Sequence, residues 1–223
     1  MAFQVRANRG LLSRNLVPVG GKLEHGNELI LAVDQQYVGG RSDENQRYTV
    51  SKVKQSLERV EPPLGWAGNS SMTAFDVWAG YLVFDAWLAG TDRHDENWGA
   101  ILVAEGTRHL APSFDHGNAL GFQLRPTEHQ RLASDDRHLQ AWVSKGRCRY
   151  FAGRPQLVAL AVDAMALASD AGQRHWRSRV GDITPQQVES VLVRAPEGLV
   201  SDATRMFCTK MLAINRRRLL DGT

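Results

Sequence analysis

Three side chains stand out by type and spacing. Asp92 and Asn97 lie in TDRHDENWG (91–99), and Asp115 lies in PSFDHG (112–117). Asp92, Arg93, His94, Asp95, Glu96 and Asn97 form an unbroken polar row between two apolar segments. Asn97 is five positions after Asp92, and Asp115 is 18 positions after Asn97. A carboxylate and an amide oxygen brought together suit Mg²⁺, a hard cation that takes oxygen ligands and keeps several waters. A second carboxylate beside them can accept the proton of a hydroxyl nucleophile. Those are the parts required for phosphoryl transfer from Mg-ATP.

For that chemistry the chain must fold three distant positions onto one point. SMTAFDVWAGYLVFDAWLAG (71–90) reads as a helix that Ser71 or Thr73 caps and Gly90 ends. Phe75, Trp78, Leu82 and Ala86 form one apolar stripe, and Val77, Tyr81, Phe84 and Leu88 another. A helix apolar nearly all round belongs in the middle of a domain, so the polar row starts where a central helix stops. WGAILVA (98–104) is rich in strand formers, EGTRH carries Gly106 for a turn, and LAPS (110–113) is the returning arm. A closed hairpin sets its two ends side by side, and Asp92, Asn97 and Asp115 then converge. Helices are expected at 47–60, from about 126 onward, at 156–169, after the Thr184-Pro185-Gln187 capping signature, and over about 200–220, where Arg216, Arg217 and Arg218 suit the helix dipole. Residues 1–48 read as a turn-rich, irregular lead-in. Lys22 is followed by Leu23, so its neighbouring glycines do not form a Walker loop.

The interval from Asp92 to Asn97 equals that of the protein-kinase catalytic loop H-R-D-x-x-x-x-N, and the hairpin is followed by Asp115-His116-Gly117 where kinases have D-F-G. His replaces Phe, and Arg93 and His94 come after the Asp rather than before it. TDRHDENWG followed by LAPSFDHG resembles the C-terminal kinase lobe of HipA-type serine/threonine kinases, the toxin kinases of bacterial toxin–antitoxin modules. More distantly it is similar to the DRHxxN loop of the phosphatidylinositol 3-/4-kinases. The resemblance is best over about 73–122. It implies Asp92 as catalytic base and Asn97 and Asp115 as Mg²⁺ ligands holding ATP. His94 stands where the family also has a His and is grouped with Asp92 as catalytic. It further implies a protein substrate, with an antitoxin or a complementing N-lobe chain as partner. Such kinases carry a β-rich N-lobe and a strand Lys that contacts ATP, neither of which is visible before the central helix. The expected fold is mainly α with one small β-hairpin, a protein kinase-like C-lobe over 49–223, and a shortened or missing N-lobe within 1–48.

Blander readings accompany each residue. Asp92 and Asn97 are residue types that cap helices and turns. His94 and His116 can be local hydrogen-bonding groups, and Arg93 and Asp95 surface or supporting ion pairs. Trp78, Trp87 and Trp98 read as core aromatics, with a wall of the site as the alternative reading of Trp98. A zinc site from His94, Asp95, His109 and His116 lacks an HxxxH or CxxC pair. The chain has 223 residues, of which 43% are hydrophobic and 23% charged, with a net charge of +3. That excess is small and scattered, which argues against direct nucleic-acid binding. No apolar run is long enough for a membrane span. Cys148 and Cys208 stand far apart, as in a reducing cytoplasm. The function expected is ATP- and Mg²⁺-dependent phosphorylation of a protein Ser or Thr. The alternatives are a degenerate kinase lobe that binds a partner without turnover, and a lipid kinase.

Overall fold

The computed structural model describes residues 2–5, 8–11, 13–40, 46–195 and 198–222. Strands β1 (Ala2–Val5) and β2 (Asn8–Leu11) form an antiparallel pair. β3 (Lys22–His25) leads directly into helix α1 (Gly26–Val33), and α2 (Val50–Ser56) follows. Next come α3 (Ala74–Leu88), β4 (Gly99–Leu102) and β5 (Arg108–Leu110). The rest is helical: α4 (Pro126–Ser134), α5 (Asp136–Ser144), α6 (Leu157–Leu167), α7 (Asp170–Gly181), α8 (Pro185–Leu192) and α9 (Asp202–Asp221).

α3 is the central helix the sequence predicts. Thr73 accepts the Asp76 N–H, and the Asp76 carboxylate accepts the Thr73 N–H, so two N-terminal donors are satisfied reciprocally. Twelve of its 15 residues are buried, from Ala74 through Ala86. α3 packs against α6, α7 and α9. The Trp176 indole of α7 lies so close to Gly80 that a Cβ there would come within 2.1 Å of it. The helix stops at Ala89, with φ 55°, one residue before the expected Gly90.

The hairpin forms, and it gains a third strand. β3, β4 and β5 make an antiparallel sheet in that order, with His25 opposite Gly99 and Ala100 opposite Leu110. The molecule is therefore mainly helical with a small three-stranded antiparallel sheet. The division at 48 runs through this sheet. β3 and α1 fall in the segment expected to be irregular, yet β3 pairs with β4 and α1 buries Leu29 and Ile30. β3 is four residues long and mixes Lys22, Leu23, Glu24 and His25. It has no apolar alternation to announce a strand.

Two apolar clusters hold the fold. The larger surrounds α3 with residues of α1, α2, α6 and the sheet, including Trp78, Trp98, Ile30 and Val53. The smaller joins α4, α5 and α9 through Leu132, Leu139, Phe207 and Met211. Leu219 and Leu220 at the end of α9 pack on the larger one, so α9 serves both. Among the described residues no helix is long and apolar enough to cross a membrane.

Candidate active site

The polar row is a tightly fastened loop between α3 and β4. Gly90 N–H returns to Asp85 O at 2.8 Å and closes the helix end. Arg93 then points back into the protein, only 4% exposed. Its Nε and Nη2 donate to the Asp85 carboxylate at 2.6 and 2.7 Å. Its Nη1 donates to Asn97 O at 2.5 Å and its Nη2 to Ser113 Oγ at 3.1 Å. One guanidinium thus ties the central helix, the loop and the segment after β5. Burial works against its charge, but the paired Asp85 carboxylate outweighs that and raises its pKa overall.

Asp95 is also buried, accepting from Tyr37 Oη at 2.7 Å and from Gly40 N at 3.1 Å. Asp95 O receives Asn27 N–H from α1 at 3.1 Å. Of the two roles expected for Arg93 and Asp95, surface pairs or supporting pairs, the structure shows the supporting one, with both side chains buried. Beneath them Trp98 Nε1 donates to Tyr48 Oη at 2.9 Å, and Tyr48 Oη donates to Arg93 O at 3.2 Å. Trp98 is 1% exposed, a core residue and not a wall.

Within this frame Asn97 Nδ2 donates to Asp92 O at 2.7 Å. The amide's orientation is thereby fixed, and Oδ1 is left as an oxygen donor for a ligand. His94 is buried, its Nδ1 accepts Glu96 N–H at 3.2 Å, and its ring meets Tyr150 edge-on at 5.2 Å. That bond assigns the proton of the neutral ring to Nε2. The side chain serves the loop's interior and is held there.

Asp115 is exposed and has φ 55°, a left-handed conformation that Asp tolerates better than most residues. Its loop is stitched to the end of α3. Thr91 N–H reaches Asn118 O at 3.4 Å, Thr91 Oγ1 reaches Asn118 Oδ1 at 3.1 Å, and Leu120 N–H reaches Leu88 O at 2.8 Å. Upstream, Tyr81 Oη donates to Ala111 O at 2.9 Å. In consequence Asp92 and Asp115 line one narrow cleft together with Asp85, Arg93 and His116. His116 packs edge-on against Phe84, with Nδ1 3.8 Å from Asp85 Oδ1. Its pKa is lowered, first by burial and then by Arg93, against the opposing pull of Asp85.

Asp92 and Asn118 also line a second, broader cavity of about 830 Å³, walled by α5 and the 145–154 turn. Asp92 stands where the two clefts meet. Among the described residues no group of three or more His, Cys, Asp or Glu is arranged to hold a metal. Asn97, expected to share a cation with Asp115, does not line this narrow cleft; its Oδ1 and the Asp115 carboxylate are oxygen donors of the kind Mg²⁺ takes. Lys22 is elsewhere: it lies opposite Leu102, three residues along β3 from His25, or about 10 Å. Its Nζ is 3.8 Å from Glu28 Oε2 in an exposed pair.

Sequence reasoning missed three supporting groups. Asp85 has a legible signal, an acid inside the apolar run YLVFDAWL. Ser113 and Tyr48 have none. His25 was missed as well: its Nδ1 is 2.8 Å from Glu96 O, and its ring faces Phe114 next to Asp115.

No protein-family model matches the chain, and no curated protein matches it in sequence. Among solved structures it is similar to the Helicobacter pylori proinflammatory kinase CtkA, with a TM-score of 0.66 and 16% identity. The match covers 94% of this chain and 67% of the other. The chain therefore has a kinase-like fold.

Proposed function

We propose that this chain is a HipA-like kinase C-lobe that transfers the γ-phosphoryl group of ATP to a protein Ser or Thr. The observation that carries the reading is the position of Asp92. It borders the narrow cleft with Asp115 and the broad cleft at once. The kinase-like fold supports the same reading, as does the Asn97 amide fixed by Asp92 O.

In this reading the acceptor hydroxyl enters from the broad cleft and gives its proton to the Asp92 carboxylate. The hydroxyl oxygen bonds to the γ-phosphorus as the bond to the β–γ bridging oxygen breaks. ADP leaves with that electron pair. Asn97 Oδ1 and the Asp115 carboxylate would hold Mg²⁺, which would supply charge neutralisation for the phosphates. Arg93 acts at one remove, by fixing the loop that carries Asp92 and Asn97.

The test is transfer of labelled phosphate from Mg-ATP to proteins of a cell extract, by the chain and by Asp92→Ala. Loss of a general base lowers transfer by roughly 10²–10⁴-fold, while nucleotide binding persists. Equal transfer by both proteins would reduce Asp92 to a turn cap. Nucleotide binding without transfer by either would favour a binding lobe.

A further inference from the structure

The broad cleft is built for negative charge. Among the described residues lining it, Lys145, Arg147, Arg149 and Arg154 are basic and Asp92 is the one acid. The basic row has a structural origin. Cys148 N–H bonds to Pro155 O at 3.1 Å, Leu157 N–H bonds to Gly146 O at 3.1 Å, and Arg147 bridges Gln156. Residues 146–148 are therefore extended, and side chains alternate between faces. Cys148 turns inward and is buried, while Lys145, Arg147 and Arg149 turn outward and are exposed. Arg147 Nη1 donates to Arg154 O at 3.0 Å, which leaves its charge unopposed. Among the described residues no carboxylate pairs with Lys145, Arg147 or Arg149. Arg93, Arg108, Arg205 and Lys210, by contrast, each face an acid.

We infer that this cleft receives an acidic polypeptide segment, whose Asp or Glu side chains engage the basic row and present a neighbouring Ser or Thr hydroxyl to Asp92. The inference rests on the reading of Asp92 as base and names the substrate class of that site. Three clustered cations beside a partly enclosed cleft attract an acidic strand and repel a basic one. Trp142 and Tyr150 on the walls give apolar side chains of the same segment a surface. A polypeptide suits the cavity better than a nucleic acid does. The volume is of the size that takes a few residues, and the three cations share one partly enclosed cleft with apolar walls.

The experiment uses the full chain and fluorescein-labelled peptides with a single Ser flanked by Glu, by Gln or by Lys. Anisotropy without nucleotide reads binding, and labelled ATP with Mg²⁺ reads transfer. The Glu peptide is expected to bind roughly tenfold or more tightly than the Gln peptide, as several exposed ion pairs acting together would give, with a gap that narrows as salt rises. The triple reversal Lys145→Glu, Arg147→Glu and Arg149→Glu changes exposed side chains only. It should invert the preference toward the Lys peptide, with circular dichroism reporting the fold. Milder Lys145→Gln and Arg149→Gln variants should move the same ratio part of the way. Charge-blind binding, or a reversal that leaves the ratio unchanged, overturns the inference even if transfer occurs. Selective binding of the Glu peptide without transfer upholds the cleft and sinks the kinase reading. A single-stranded RNA oligonucleotide of equal charge that displaces the Glu peptide at lower concentration overturns the polypeptide assignment.

Discussion

At the scale of single residues, the site separates groups that would meet substrate from groups that hold them. Asp115 belongs to the first kind. It is exposed, in a left-handed turn, with its carboxylate facing the narrow cleft. Asp115→Asn keeps the shape and removes the charge that a divalent cation needs. Calorimetric titration with a nucleotide should show Mg²⁺-dependent binding lost and the melting temperature little changed. Equal affinity would take Asp115 out of the site. Arg93 belongs to the second kind. Arg93→Ala leaves the Asp85 carboxylate buried without its partner, which costs about 3–5 kcal/mol of stability. Replacing both, with Arg93→Met and Asp85→Leu, removes the stranded charge and should recover much of that loss in urea denaturation. Transfer should stay low, because the bonds to Asn97 O and Ser113 Oγ go with the guanidinium. A double variant as active as wild type would mean the loop holds its shape without Arg93.

At the scale of elements, the cap of α3 is also the joint between α3 and α7. Asp76 accepts Thr73 N–H, Ser169 N–H at 2.7 Å and Ser169 Oγ–H at 2.8 Å, and Asp76 O accepts Trp176 Nε1–H at 2.7 Å. Burial pushes its pKa up, but these donors more than offset that, and the net shift is below 3.8. The unfolded chain therefore binds the proton more readily than the folded one. Stability from this carboxylate is complete above the unfolded value and lost as pH falls through the lower folded value. Asp76→Asn should destabilise at pH 7, and its deficit relative to wild type should shrink below about pH 4. Urea midpoints at pH 7 and pH 3 check this, and a deficit independent of pH would refute it. Elements of this kind were legible because their signals are local: Thr73 with Asp76, and Thr184 with Gln187, lie within one helical turn. Of the three residues that the hairpin was expected to bring together, Asp92 and Asp115 line one cleft and Asn97 does not. β3 was not legible, since its pairing with β4 spans more than 70 residues and its own four residues carry no period. The inward turn of Arg93 was hidden for a similar reason. In sequence it is one more charge in a polar row, and only the distant partners Asp85 and Ser113 make it an interior residue.

At the scale of the whole molecule, the question is whether the two apolar clusters melt apart. Asp92 stands between a wall built by α5 and the 145–154 turn and a loop fastened to α3, so the site needs both clusters at once. Two helices join them. α3 places Trp78 in the larger cluster and lays Trp87 and Leu88 against the smaller. α9 buries Phe207 and Met211 in the smaller and sends Leu219 and Leu220 to the larger, and Asn215 Nδ2 donates to Trp87 O at 3.1 Å where the two helices cross. A helix cannot lose half its packing and keep the rest at little cost, because its backbone hydrogen bonds form cooperatively. The clusters should therefore unfold as one unit. Phe207→Ala empties a fully buried site flanked by His129 and Trp142, at a cost of about 3–5 kcal/mol. Native-state hydrogen exchange then separates the two cases. With one unit, amides of α6 in the larger cluster lose as much protection as those of α5 in the smaller. Loss confined to α4, α5 and α9 would show that the α5 wall opens on its own, and that the two sides of Asp92 are assembled by two separate folding events.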